Sequence, residues 1–363
     1  MRKQYIDNIR WITVVLVVIY HVIYMFNGVE TAGVIGPFYE IQYQDVFQYI
    51  VYPWFMLLLF TISGMSARYY LNIHTDREFV HSRTTRLLVP STIGLVVFHW
   101  ILGYYNMAIA GAFAQMNSVP KPVLAIIMIC SGIGPLWYIQ VLWILSIVLV
   151  LVRKLEKDRF YQICSKANAG ILLALTILVI VSARILNAPV IVLYRFGIYG
   201  TGFLIGYFCL SHDEVVDRLA KYWHILVVIS VALAVAFVSI NFGRPYAEHS
   251  VLDTPLCNIY AWIMTLTVIT FMHKWGNFEN PFSKWMIRQS WGLYIFHYIP
   301  LAASAYYLHL YAQELPPVLV YIFVAIAAFA GAYLLNAIIS RIPFLRWAVL
   351  GITRRTKQCL QTI

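Results

Sequence analysis

Along most of this chain, apolar residues run in blocks of about twenty, and polar residues gather between the blocks. A helix rises 1.5 Å per residue, so roughly twenty apolar residues cross a hydrocarbon layer of about 30 Å. Ten candidate blocks stand out, at roughly 11–27, 47–70, 87–108, 136–152, 169–186, 191–210, 223–241, 255–272, 288–308 and 317–340. They predict an all-α membrane protein, a bundle of about ten transmembrane helices. Residues 122–134 are apolar but too few to cross. Their Gly132-Ile133-Gly134-Pro135 end predicts a re-entrant or interfacial piece feeding Leu136-Trp137-Tyr138.

Composition narrows the picture. Of 363 residues, 61% are hydrophobic and 11% charged, which excludes a soluble globular domain. A net charge of +11 would suggest nucleic acid in a soluble protein. Here the charge follows the loops. With the N-terminus cytoplasmic, 22 of the 26 Lys and Arg fall on that side, and only Lys121, Arg184, Arg195 and Arg244 remain for the other. That asymmetry predicts both termini cytoplasmic, a multi-pass protein of the cytoplasmic (inner) membrane, and no nucleic-acid partner. Residues 1–345 read as one transmembrane domain and 346–363 as a basic cytoplasmic tail. Tyr24-Met25-Phe26-Asn27 follows the first block where a small-x-small cleavage site would stand, so the start reads as a retained signal-anchor. The five cysteines are scattered, with no CxxC, and predict neither a disulfide framework nor a metal site.

Against this background a few polar residues are out of place. Asp7-Asn8-Ile9-Arg10 opens the first block and His21 lies inside it. Eleven steps of about 100° return to within about 20° of the start, so Arg10 and His21 share a helix face, roughly 16 Å apart along it. Ionisable groups at such depth cost about 2.5–3.5 kcal/mol each, which favours a stripe lining a polar cavity. The plainer reading makes Arg10 a positive-inside anchor and His21 a packing hydrogen bonder. Arg83 and Arg86 sit one turn apart before Leu87-Leu88-Val89-Pro90, and such paired guanidinium forks suit phosphate oxygens; simple topogenic charge is the alternative. Ser290 to His297 lies in the ninth block and brings His297 to about the depth of His21. His99 stands in the third block, and Thr61-Ile62-Ser63-Gly64 in the second predicts close helix contact.

With these residues in hand, the chain resembles the acyltransferase 3 family of multi-spanning bacterial membrane proteins, in the stand-alone form without a C-terminal SGNH domain. Asp7-Asn8-Ile9-Arg10 with His21 resembles the family's D-x-x-R opening and Arg-x10-His spacing. Phe60 to Gly64 resembles F-x-x-S-G, Arg83-Thr84-Thr85-Arg86 its R-x-x-R, Leu136-Trp137-Tyr138 its L-W-[FY], and Ser290 to His297 its S-x-x-[IL]-Y-x-x-H. The likeness runs from residue 5 to about 340. Trp11 departs from the usual glycine after the opening arginine.

The resemblance implies transfer of an acyl group from cytoplasmic acyl-CoA to a hydroxyl of an extracytoplasmic acceptor, a glycan or other surface molecule. No cofactor would be permanently bound. Arg83, Arg86 and Arg10 would take the donor phosphates, and Asp7 would pair with Arg10. His21 would act as general base or acyl carrier, with His297 orienting the acceptor or bonding the thioester carbonyl. A secondary transporter or flippase using the same His and Arg groups is the rival, and it lacks a visible inverted repeat.

Overall fold

The computed structural model describes residues 3–30, 33–188 and 192–353. Arg2 and residues 354–363 of the expected tail lie outside the described residues. The helices that build the bundle are α1 (Gln4–Tyr24), α2 (Val46–Leu71), α3 (Asp76–Ile109), α4 (Lys121–Ser131), α5 (Leu136–Glu156), α6 (Ala169–Ser182) and α7 (Phe196–Leu210). They continue with α8 (Trp223–Asn241), α9 (Pro255–Trp275), α10 (Pro281–Phe296), α11 (Tyr298–Tyr311), α12 (Pro317–Ile339) and α13 (Pro343–Leu350). Among the described residues no strand forms; one isolated bridge joins Asn187 and Arg195.

Among the described residues, seven helices are long and apolar enough to cross a membrane: α1, α2, α3, α5, α8, α9 and α12. The expected blocks at 169–186 and 191–210 fall on the shorter α6 and α7, and the block at 288–308 on the pair α10 and α11. Residues 122–134 form α4 and a turn, and at 11 residues α4 is too short to cross. Helix bounds outrun the apolar blocks where local signals favour it. α10 starts at Pro281, seven residues before its block, because Asn280 and Ser283 form a reciprocal capping box and proline suits the first helical turn.

Close approach explains the small residues of α2. A side chain on Gly64 would meet the Phe203 carbonyl at 1.9 Å, and one on Gly206 the Thr61 carbonyl at 2.0 Å. The backbones of α2 and α7 therefore touch, which glycine alone allows.

Prolines shape the helices that carry the motifs. Pro90 has no N–H for the Arg86 carbonyl, and beside it the segment Thr84–Leu88 widens to a π-helix, with Val89 N–H bonding the Thr84 carbonyl. A second π segment, Leu95–His99, closes with Trp100 N–H on the Leu95 carbonyl. Pro300 likewise leaves the Phe296 carbonyl without its helical donor, and α10 gives way to α11 at His297. Packing continues past residue 345: Ala348, Val349 and Leu350 of α13 are fully buried, and the Trp291 indole donates to the Leu350 carbonyl at 3.0 Å.

Candidate active site

The start of α1 is held from three sides. Arg10 Nη1 donates to Asp7 Oδ1 at 3.1 Å, the pairing the resemblance implied, and Nη2 donates to Ser66 Oγ at 2.9 Å. Ser66 is the next residue on the face of Ser63, one turn later in α2, and sequence reasoning missed it. Asn8, wholly buried, donates to the carbonyls of Gly276 (2.7 Å) and Phe278 (2.9 Å), so it clamps the turn between α9 and α10. Trp11, where the family pattern has glycine, donates to Asn8 Oδ1 at 2.9 Å and meets Phe282 edge-on at 5.8 Å. The larger side chain thus reinforces the clamp.

Arg83 and Arg86 come to the same end of the bundle. Arg83 is buried against the Phe79 ring at 5.0 Å and is an electrostatic neighbour of both Arg10 and Arg86. Arg86 lies over the Trp291 ring at 5.5 Å. Three guanidinium groups gathered at one end of the bundle make a set of donors that suits the oxygens of an anion.

A narrow cleft rises from this cluster. Arg10 and Val14 line it from α1, Leu59 from α2, Tyr138 from α5, and Ser290, Trp291 and Tyr294 from α10. Four of the five sequence motifs thus face one space or its rim. Tyr138 is fixed by Ser63, their hydroxyls 3.0 Å apart, and Tyr294 donates to the Pro135 carbonyl. Pro135 ends the glycine-rich turn, so that turn sets both tyrosines.

Beyond the cleft, His21 and His297 meet. His21 Nδ1 lies 3.0 Å from His297 Nε2, with the rings stacked at 5.1 Å between centroids. Residue counting placed them at one depth; here they are bonded. His297 Nδ1 faces the carbonyls of Leu293 (3.1 Å) and Tyr294 (2.9 Å). Carbonyls only accept, so Nδ1 carries hydrogen and Nε2 of a neutral His297 is an acceptor. His21 must then donate through Nδ1, which leaves its Nε2 with a lone pair. That is the state a proton acceptor or nucleophile requires. Tyr298 stands edge-on to His21 at 4.8 Å.

The remaining polar residues divide by location. Arg195 and Arg184 join neither cluster: Arg195 pairs with Asp253 at 3.6 Å and donates to the Leu252 carbonyl, and Arg184 reaches the Asp253 carbonyl. His99 is wholly buried in α3 and is an electrostatic neighbour of His297.

A family model described as an acyltransferase domain, that of the acyltransferase 3 family, matches residues 3–337. No match was found among curated proteins or solved structures. The matched stretch contains the guanidinium cluster, the cleft and the histidine pair, and α1, α2, α3 and α5, which carry part of them, are of membrane-spanning length and apolarity. The chain belongs to the acyltransferase 3 family and is a multi-pass membrane acyltransferase.

Proposed function

We propose that this protein moves an acyl group from cytoplasmic acyl-CoA to a hydroxyl of an extracytoplasmic acceptor, a glycan or other surface molecule. The loop charges support an orientation with both termini and the guanidinium cluster on the cytoplasmic side of the inner membrane. Three further spans, α6, α7 and the α10–α11 pair, complete a ten-span bundle in this reading. The CoA phosphates bind Arg83, Arg86 and Arg10 through charge-assisted hydrogen bonds, and Asp7 holds the Arg10 fork in place. The thioester arm enters the cleft between α1 and α10. The acceptor hydroxyl approaches from the opposite end.

His21 takes the proton of that hydroxyl on Nε2 while the oxygen bonds to the thioester carbonyl carbon. The tetrahedral intermediate collapses, the C–S bond breaks, and the CoA sulfur recovers the proton from His21. His297 acts through His21: both its ring nitrogens are engaged, so its part is to hold the tautomer. The observation that carries this reading is the His21–His297 bond at the head of a cleft that begins at Arg10.

The test uses the purified protein in lipid vesicles with a panel of acyl-CoAs and a hydroxyl acceptor. Release of CoA should require His21, and His21→Ala should lower it by about 10²–10⁴-fold with donor binding kept. A burst of CoA without acceptor, equal to the protein present, would place the acyl group on His21 as carrier. Folded His21→Ala and His21→Gln proteins that still release CoA would remove the proposal.

A further inference from the structure

Acyl transfer also needs a hydrogen-bond donor for the thioester oxygen, which gains negative charge as the hydroxyl adds. The histidine pair does not supply one. His297 has Nδ1 on two carbonyls and Nε2 on His21, and His21 presents a lone pair. One further imidazole stands close by. His99 has no exposure to solvent, and neither of its ring nitrogens has a hydrogen-bond partner among the described residues. A buried polar group left unpaired is rare in folded proteins and points to something that pairs with it in use. Its position agrees. It is the last residue of the π segment Leu95–His99, and π segments gather at functional sites. The neighbouring Phe98 meets Phe296 edge-on at 5.6 Å, which sets this part of α3 against the α10 terminus that carries His297. The turn behind it is fixed: a side chain on Gly132 would strike the His99 carbonyl at 2.2 Å.

We propose that His99 is a catalytic residue whose ring N–H donates to the thioester carbonyl oxygen and to the oxyanion that forms from it. This rests on the acyl-CoA reading above. The step leaves the His99 proton in place: the hydroxyl proton goes to His21 and then to the CoA sulfur, and the oxyanion collapses back to a carbonyl as the C–S bond breaks. A neutral imidazole suffices.

The test compares His99→Phe and His99→Gln with the parent protein, measuring CoA release, donor affinity and melting temperature. His99→Phe removes the donor at similar size and should lower kcat by about 10²–10³-fold while donor affinity stays within about twofold. His99→Gln keeps an N–H and should recover part of the loss. Both should melt at or above the parent temperature, since an unpaired buried group is removed or exchanged. Parent-like kcat in His99→Phe overturns the inference. So does an equal loss in both variants together with a lowered melting temperature, which marks a packing role. A parent protein that binds acyl-CoA yet releases no CoA to any acceptor overturns the underlying reading, and this inference with it.

Discussion

His21 Nδ1 and His297 Nε2 stand 3.0 Å apart, and the carbonyls of Leu293 and Tyr294 dictate which of the two rings donates. The bond ties α1 to the junction of α10 and α11, so the proton state of one helix is set by the backbone of another. Replacing His297 with Phe should therefore free the His21 ring to turn and to change tautomer. CoA release should fall by about 10²–10⁴-fold, and its pH profile should change shape, because His21 loses the acceptor that orders it. A loss of rate with an unchanged pH profile would argue that His297 only fills space.

Arg86 tests the donor end. Hydrogen bonds to charged groups contribute roughly 1.5–3 kcal/mol, so Arg86→Ala should weaken CoA binding by about 10- to 100-fold. Arg86→Lys should recover only part, since a lysine ammonium cannot bind phosphate through two parallel N–H groups. Titration calorimetry with CoA reads both. Parent-like binding in both variants would make the R-x-x-R segment a topogenic charge only.

Gly206 tests the contact of α2 with α7. An added methyl group would lie 2.0 Å from the Thr61 carbonyl, a backbone atom that cannot swing aside. Gly206→Ala should cost roughly 1–3 kcal/mol, seen as a lower melting temperature in detergent. An unchanged melt would mean that the two helices separate freely.

Glu30 lies in the loop after α1, and its Oε1 accepts from the Ala247 N–H at 2.9 Å. Burial pushes its carboxyl above the usual range, and the backbone bonds offset this only in part. The folded state thus holds this proton more tightly than the unfolded state. Its contribution to stability is complete below the ordinary carboxyl pKa and is lost as pH rises through the raised value. Glu30→Gln keeps an acceptor and carries no charge, so it should flatten that part of the melting profile and melt higher than the parent at pH 7. Parallel profiles for the two proteins would contradict this account.

Much of the candidate site was legible from spacing. Counting residues matched the depths of His21 and His297, which meet in the structure, and the pairing of Asp7 with Arg10 that the resemblance implied is present too. Other relations escaped because hydropathy does not register them. An i to i+5 bond leaves no mark on apolarity, so the π segments at Arg86 and His99 were invisible. The joint at His297 did have a signal, Pro300 three residues on, but a proline inside an apolar block reads as tolerated. Asn8 carried no signal of its own, because its partners are backbone carbonyls of Gly276 and Phe278, more than 260 residues away. Backbone acceptors carry no sequence signature.

That asparagine clamp has a mechanical consequence. Asn8 fastens the start of α1 to the turn that leads into α10, and the histidine pair fastens the same two helices farther along. The cleft lined by Arg10, Val14, Ser290, Trp291 and Tyr294 lies between these two fasteners. A beam pinned at both ends does not open in the middle, so the gap has a set bore. In the acyl-CoA reading it would serve as a gauge, passing a slim unbranched arm more readily than a ring. Loosening the Asn8 pin should therefore change which molecules enter, at a point about three and a half turns of helix away from the histidine pair.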